Sequence, residues 1–555
     1  AGGGNGNFPV VLERILNHYW EHDARGDTNS LVFEEHDEDI NGNDRLDPGE
    51  DTDLDGQLDK PNYYPWETRS PSEMTMIERA KALMYFYERE TNTLLMRPLV
   101  PLRERTTYAV VVTSRLRDMA GKAVGSPYPW VHHGGQTEAL TALVDILAKG
   151  DAFGGLKVRC DDPTGCDEIA FAWTFTTGTM YADIGAIRDG LYGHGVQKHL
   201  ATEFPAQLHQ LQPLFDDVNA STDKKKLRKY ENLYTVSGER FLEVVKLLAG
   251  SGGLISVGGK EQSKIFFDSL KYVDYHVFGT FETPRMYRHT DDQGNVLDYN
   301  QMSWPASLDR KKARADHEKV TFWMTVPRPE ATKTGKPNAV AILGHGYTGS
   351  KTEAFTFHSY FAKMGLVCVA FDNASHGLSL NKDEKILLTA AMKGLGIGKM
   401  ADALTMNRSW DQDLDGVEDS GADFWTAYTF HTRDVVRQTA VDYMQLARIL
   451  RSWDGKRNWA FDTNGNGKAD DLAGDFNGDG QVDVGGPDMP LTMTGGSLGG
   501  IMSAVVGGLE PHLDAVVPIA GGGGLIDVGV RSTQGGIKEA VQLRLMGPLY
   551  VGLTD

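Results

Sequence analysis

The residue best placed to do chemistry is a serine set among glycines. Gly495-Gly496-Ser497-Leu498-Gly499 forms a G-x-S-x-G pentapeptide. It falls between a short run expected to be a strand, Leu491 to Thr494, and a run expected to be a helix from Gly500. A serine at such a bend takes a strained backbone conformation, and the flanking Gly495 and Gly499 leave room for the close packing this requires. The hydroxyl then stands at the carboxyl end of a sheet, near the positive end of a helix dipole. The chemistry that follows is nucleophilic attack on an acyl carbonyl. The alternative is a glycine-rich turn with an idle serine, since the chain has 63 glycines.

A second segment supplies what that attack needs. Leu343-Gly344-His345-Gly346-Tyr347-Thr348-Gly349 follows the apolar run Asn338 to Ile342. Backbone N–H groups in a glycine-rich turn stabilise a developing oxyanion without reorganising, and losing one costs about 3 kcal/mol in barrier. The expected donors are the N–H groups of Tyr347 and of Leu498, directly after the serine. His345 and Gly346 read as residues that shape this loop. Asp372 and His376, in FDNASHGLS, read the same way.

A third signal is repeated acidic spacing. Asp39, Asn41, Asn43, Asp47 and Glu50 occupy positions 1, 3, 5, 9 and 12 of a loop, with the Arg45 carbonyl at 7 and Asp44 where glycine is usual. Asp51, Asp53, Asp55 and Asp59 follow, with Gln57 at 7. The form recurs in Asp411, Asp413, Asp415 and Asp419 with Val417, in Asp462, Asn464, Asn466 and Asp470 with Lys468, and in Asp475, Asn477, Asp479 and Asp483 with Gln481. Calcium takes roughly six to eight oxygens, and alternate residues of a tight loop converge them on one point. Several structural Ca2+ ions are the expected cofactors. Random acidic linkers do not place glycine at position 6 so regularly (Gly56, Gly416, Gly467, Gly480). The loops resemble thrombospondin type 3 or dockerin-like loops. Most lack a Glu at position 12, which suits millimolar extracellular calcium and so points to export. No histidine accompanies them, so the expected role is structural and not metal-assisted hydrolysis.

The elements that must position these residues follow from patterning. Residues 10–20 and 70–95 read as helices, the second from Met76, Ala80, Ala82, Leu83 and Phe86. TYAVVVT, a turn at Ala120-Gly121 and FAWTFTTGT suggest a β-sandwich. Residues 181–272 read as a mostly helical linker, with a solvated charge run at Lys224 to Lys229. From about 273 the pattern is strand, turn, strand (YVDYHVFGTFETP, KVTFWMTVPRP, NAVAILGHG), and after it strands alternate with helices, at Ala354 to Met364, 427–452 and from 500. This predicts an α/β fold with a mostly parallel sheet covered on both faces. The insert 378–425, with Leu387, Leu388, Ala390, Met392, Leu395 and Ile397, reads as a lid over an acyl pocket or as a helical decoration packed on the body. Domains are expected at 1–65, 66–180, 181–272 and 273–555.

Composition sets the limits. The chain has 555 residues and a formal net charge of -20, which argues against a nucleic-acid partner. No apolar run is long enough for a membrane helix. Cys160 and Cys166 flank a Pro-Thr-Gly turn and read as a small-loop disulfide, while Cys368 sits in an apolar strand.

Taken in order, RPLVPLRERTTYAVVVTSRLRDMAGKAV, AFAWTFTTGT, VDYHVFGTFETP, ILGHGYTGS, TGGSLGG and VVPIAGGGGLIDV resemble the α/β-hydrolase superfamily. Within it they resemble bacterial virulence-factor-type extracellular lipases, over roughly residues 90–550. The resemblance implies an Ig-like region ahead of the hydrolase domain, export, and a serine esterase or lipase acting on acyl esters. It carries Ser497 over as nucleophile and Gly344 to Tyr347 as oxyanion loop. The triad order Ser, Asp or Glu, His is not met, however. The only histidine after Ser497 is His512, in the turn LEPHLDA, and Asp527 is a poor match for the acid. The expectation is that the base and acid lie on polypeptide not in this chain, as in a cleaved or truncated protein paired with a second chain. The alternatives are a catalytically silent, calcium-rigidified adhesion or assembly protein on the same scaffold, and a peptidase using the same serine.

Overall fold

A computed structural model describes residues 39–43, 45–50, 58, 85–88, 93–96, 102–118, 120–129, 131–141, 143, 169–209, 235–250, 260–412, 415–463, 468–525, 528–529 and 541. The expected helix at 10–20, the cysteines Cys160 and Cys166, and the charge run 224–229 lie outside them. Strand β1 (Tyr85–Glu88) pairs with β2 (Thr93–Met96), so this part of the expected helix 70–95 is a hairpin. Tyr85-Phe86-Tyr87 and Thr93 favour a pleated backbone, and that local preference outweighs the sparse helical spacing.

The chain divides into two compact units, Leu83–Tyr85 with Leu95–Asp183, and the remainder. In the smaller, β3 (Thr107–Thr113) pairs antiparallel with β4 (Ile169–Thr176). Among the described residues these form a two-stranded ribbon; a second sheet packed on it, as a sandwich requires, is not seen there. The Glu104 carboxylate accepts the N–H groups of Met180, Tyr181 and Ala182. It thereby satisfies orphan donors where helix α1 (Tyr181–Leu191) begins.

The larger unit is built on a seven-stranded sheet. Its strands are β5 (Thr235–Ser237), β6 (Val273–Arg285), β7 (Asp316–Pro327), β8 (Ala339–Gly344), β9 (Leu366–Phe371), β10 (Leu491–Gly496) and β11 (Ala515–Ile519). Their spatial order is β11-β10-β8-β9-β7-β6-β5. The pairs from β9 through β8 and β10 to β11 are parallel, whereas β5–β6, β6–β7 and β7–β9 are antiparallel. The sheet is therefore mixed and not mostly parallel. Parallel neighbours need a crossover, and helices α4 (Ala354–Lys363) and α8 (Leu498–Gly507) provide it. The link from β6 to β7 carries no α-helix, so those strands lie antiparallel.

Alternation along β9 shows why both faces are covered. Val367, Val369 and Phe371 enter one core with Phe281, Phe322, Tyr443 and Met444. Cys368 and Ala370 face the other way, against Leu343, Ala354 and Phe361. Cys368 is free and buried, and burial pushes its thiol up to about 12. Helix α7 (Thr429–Arg451) lies in the first core, which buries Val435, Ala440, Val441, Leu446 and Ile449 of it. The segment 181–272 adds β5 and helices α2 (Gly238–Gly250) and α3 (Lys260–Ser269) to this unit. Phe241, Val244 and Phe266 of these helices pack with Phe278 and Trp323 of the sheet. Helices α5 (Lys382–Gly394) and α6 (Gly398–Leu404) of the insert join the same core through Met392, Met400, Ala401 and Leu404. Those helices are thus docked on β6 and β7. No helix among the described residues is long and apolar enough to cross a membrane.

Phe281 is fully buried and meets Phe371 edge-on at 5.6 Å. Phe281→Ala is expected to destabilise this unit by about 3–5 kcal/mol, read as a lower urea midpoint at unchanged slope.

Candidate active site

Ser497 joins β10 to α8 with φ 54° and ψ -117°. This region is costly for a residue with a Cβ, on the order of 1–3 kcal/mol, and persists only where the surroundings dictate it. They do so here. The Ser497 N–H donates to Ile519 O at 3.0 Å, and its carbonyl accepts from Ile501 N at 3.0 Å. Its side chain is exposed, while Leu498, Gly499 and Gly500 behind it are buried.

The turn after β8 lies against this bend. Gly344 is in register with Gly495 across the parallel pair. A Cβ on Gly499 would sit 2.1 Å from Gly344 O, and one on Gly495 2.6 Å from the same atom. Only glycine allows that approach. The turn closes with Gly349 N donating to Gly346 O at 3.0 Å, and Thr348 takes φ 61°. The Glu353 carboxylate accepts the Gly346 N–H at 3.0 Å; burial raises its pKa. The Tyr347 hydroxyl donates to Gly421 O at 3.1 Å, and its ring lies 5.5 Å from Phe424.

His345 is buried and held at both ring nitrogens. Nε2 accepts the Asn373 N–H at 2.8 Å, so Nδ1 carries the proton given to Gly346 O at 2.8 Å. His376 is buried too, with Nδ1 2.8 Å from Ala374 O. Asp372 pairs with the fully buried Lys351. The structure brings Ser497, Leu498, Gly495, Gly499 and the turn with Gly346 and Tyr347 to one end of the sheet, with His345 and His376 beneath them. It does not bring His512 there. Asp514, two residues on, bonds Leu491 at the start of β10, so His512 sits near the far end of a six-residue strand, roughly 20 Å away. Asp527 lies outside the described residues.

Sequence reasoning missed Glu353, Lys351 and Arg408. Arg408 is buried and bonds both Glu318 oxygens at 2.9 Å, Asp442 at 2.7 Å and Asp372 O at 2.9 Å. No spacing signals such groups, because their partners are distant in sequence.

The acidic loops repeat one hydrogen-bond pattern. In 475–483 the first aspartate accepts from position 6, the fifth residue's side chain from position 7, and the last aspartate from position 2, at 2.8, 2.9 and 2.9 Å. In 411–419 the same bonds are 2.9, 2.8 and 2.9 Å, and Gly416 and Gly480 both have positive φ. In 39–50, Asn41 and Asn43 donate to Asp47, and Glu50 folds back onto the N–H groups of Asn41 and Asp47. Asp51, Asp53, Asp55, Gln57, Asp59, Asp413, Asn464 and Asn466 lie outside the described residues. Among the described residues no group of three or more His, Cys, Asp and Glu stands ready to hold a metal. Asp483 is pushed up to about 6 by burial, with Asp475 and Asp479 adding repulsion; a bound cation would relieve that crowding.

A mixed sheet with helices and a strand–serine–helix bend fits an α/β-hydrolase-like fold. No family model and no curated protein matches the chain. Among solved structures it is similar to a lipase in its open form (14% identity, 36% of this chain and 38% of that one, TM-score 0.18). It is also similar to acetyl xylan esterase 1 from Thermoanaerobacterium (15%, 42% and 54%, TM-score 0.23). A third is a cold-adapted esterase from an Arctic intertidal metagenomic library (12%, 43% and 59%, TM-score 0.20). Each match spans less than two thirds of the other chain.

Burial keeps four histidines neutral. It pushes His345 and His358 down to about 4, His376 to about 3 and His276 well below its ordinary 6.5. Unfolded, each takes a proton near 6.5; folded, His345 and His358 take it only near about 4, His376 near about 3 and His276 well below its ordinary value, so acidification through that window favours unfolding. Asp442 and Asp483, both raised to about 6 first by burial, and Glu353 and Glu510, also raised first by burial, act oppositely; His289, lowered by burial, and Asp514, lowered by the Leu491 N–H it accepts, add to the histidines' side. Stability is expected to fall by on the order of a few kcal/mol between about pH 7 and about pH 4.5. Urea midpoints measured across that range check this, and a flat or rising profile contradicts it.

Proposed function

We propose that this chain is a calcium-stabilised serine hydrolase of carboxylic esters, of the esterase or lipase kind, acting outside the cell. One observation supports it most: an exposed serine at φ 54° whose helix packs backbone to backbone on a glycine turn. In this reading Ser497 Oγ attacks the ester carbonyl. The N–H groups of Tyr347 and Leu498 hold the oxyanion, Leu498 being at the first helical position, where N–H groups have no intrahelical acceptor. The alcohol leaves, and water then frees the acid from the acyl-serine. An imidazole must take the serine proton. His345 is committed at both nitrogens, His376 is fully buried against Tyr347, and His512 lies at the far end of β10; the reading therefore takes the base and its carboxylate partner from outside the described residues, in this or a second polypeptide.

Calcium would be held by the loops at 39–50, 411–419 and 475–483, whose carboxylates and amides hydrogen-bond across each loop, with 51–59 and 462–470 completing the set. The ion supplies charge neutralisation, not a reaction step. Loops of this make-up suit millimolar calcium, which supports export.

Two outcomes test the reading. A fluorophosphonate is expected to label the protein at Ser497, and Ser497→Ala to lose both label and ester turnover, by at least about 10³-fold, with an unchanged melting temperature. Absence of labelling in the intact protein favours the silent scaffold instead. Chelation is expected to lower the melting temperature, and restoring calcium to about 100 times its dissociation constant to return about 2.7 kcal/mol per site. An indifferent melting temperature removes calcium from the proposal.

A further inference from the structure

The turn at 344–350 is held at both ends by two consecutive residues at the end of β9. At the near end, the Asn373 N–H donates to His345 Nε2 at 2.8 Å, and Asn373 Oδ1 is itself fixed by the Tyr443 hydroxyl at 2.8 Å. At the far end, Asp372 takes the Lys351 backbone N–H on Oδ1 and the Lys351 ammonium on Oδ2, both at 2.6 Å. Nζ also donates to Met406 O at 3.2 Å. Neither side chain reaches solvent: Lys351 is 0% and Asp372 2% exposed. A buried ion pair is weak evidence for stability, because desolvation of both charges offsets their attraction. Its geometric effect is plain here. One carboxylate fixes both the direction of the chain and the side chain at 351, six residues after the anchored His345. Tyr347 lies between the two anchors.

We propose that the Lys351–Asp372 pair is a positioning device for the oxyanion turn, which sets where the Tyr347 N–H points relative to Ser497. This rests on the hydrolase reading above. Neither residue touches substrate; both act through the turn. A donor displaced by an ångström loses most of its effect on a developing oxyanion, while ground-state binding of the ester is little changed.

Two variants test it. Asp372→Asn keeps an acceptor but leaves the buried ammonium without its counter-charge. The double variant Lys351→Met with Asp372→Leu removes both charges at similar volume, a change that folded proteins commonly tolerate, and it carries the test where the single variant does not fold. Hydrogen–deuterium exchange of the peptide spanning 345–350 is expected to quicken about tenfold, with peptides of α7 unchanged. Turnover of a p-nitrophenyl ester, per fluorophosphonate-labelled serine, is expected to fall about 10- to 100-fold in kcat, with KM within about twofold. Unchanged exchange at 345–350 overturns the proposal whatever the turnover. Faster exchange with unchanged kcat overturns it as well, since the pair would then be a structural tether alone. If the unmodified protein neither turns over ester nor takes label, the hydrolase reading fails and the catalytic role falls with it; the exchange arm then still separates that failure from a failure of the tether.

Discussion

The carbonyl of Gly344 lies so close to the first turn of α8 that a methyl group on Gly499 would sit 2.1 Å from it, and one on Gly495 2.6 Å. Around this backbone contact the carboxyl end of the sheet is arranged. It lets β8 and β10 run parallel in register up to Gly344 and Gly495, and it brings the turn that follows β8 against the bend that follows β10. On the other side of the helix the same economy recurs. A Cβ on Gly500 would meet Ile519 O at 2.4 Å, and that carbonyl accepts the Ser497 N–H. The serine is thus wedged between two strands that leave its backbone one conformation. Its positive φ is a consequence of this packing, and the exposed hydroxyl is a consequence of the φ.

Beneath this contact lies a layer of buried charge. Lys351 with Asp372 and Arg408 with Asp442 are at or near zero exposure, Arg408 also pairs the largely buried Glu318, and the buried Asp423 hydrogen-bonds the His431 ring. Such pairs contribute little net stability, since the alternative of apolar packing is often as good. They do bind loops to one another with directional bonds. Arg408 reaches from the insert to the carbonyl of Asp372, and Ser420 accepts the Gly377 N–H while donating to Gly349 O. Irregular segments carry backbone groups that regular structure does not satisfy, and burying them demands partners of this kind.

What sequence patterning could and could not see follows from the range of the forces involved. The nearly continuous apolar runs LVCVAF and NAVAI, the long amphipathic run ending at Arg451 and the glycines around Ser497 are local signals, and the structure places strands, a helix and a bend there. The hairpin at Tyr85 and Thr93 was hidden because a few apolar residues at helical spacing look alike in either state. The antiparallel half of the sheet was hidden for another reason. The segments VDYHVFGTFETP and KVTFWMTVPRP read as strands joined by a turn, with no crossover helix between them, but a general expectation of a parallel sheet was laid over that local signal. Lys351, in Gly-Ser-Lys-Thr-Glu, reads as an ordinary surface lysine at a helix start; only the fold brings Asp372 to it. The insert was ambiguous on sequence, and Met400 and Ala401 show that its helices join a core shared with Phe241 and Trp323.

The acidic loops complete the physical picture because they are anchored in the core as well as facing solvent. Phe476, at the second position of 475–483, is fully buried and lies 5.6 Å from Trp453 and 5.4 Å from Trp459. Val484, just past the loop, is also fully buried, and the Tyr275 hydroxyl donates to Asp483 at 2.8 Å. The loop therefore lies on the connection from α7 to β10 with both ends pinned in the core. The loop at 411–419 runs directly into Ser420 and Gly421, which bond Gly349 and Tyr347 of the turn. The loop at 411–419 thus ends beside residues that bond the turn facing the serine, while the loop at 475–483 lies on the connection that leads into β10 and the serine. A cation drawing such carboxylates inward would shorten and stiffen both connections at once. On that argument the proposed calcium dependence and the proposed esterase site are one design, in which charge held at the loops fixes backbone at the sheet's end.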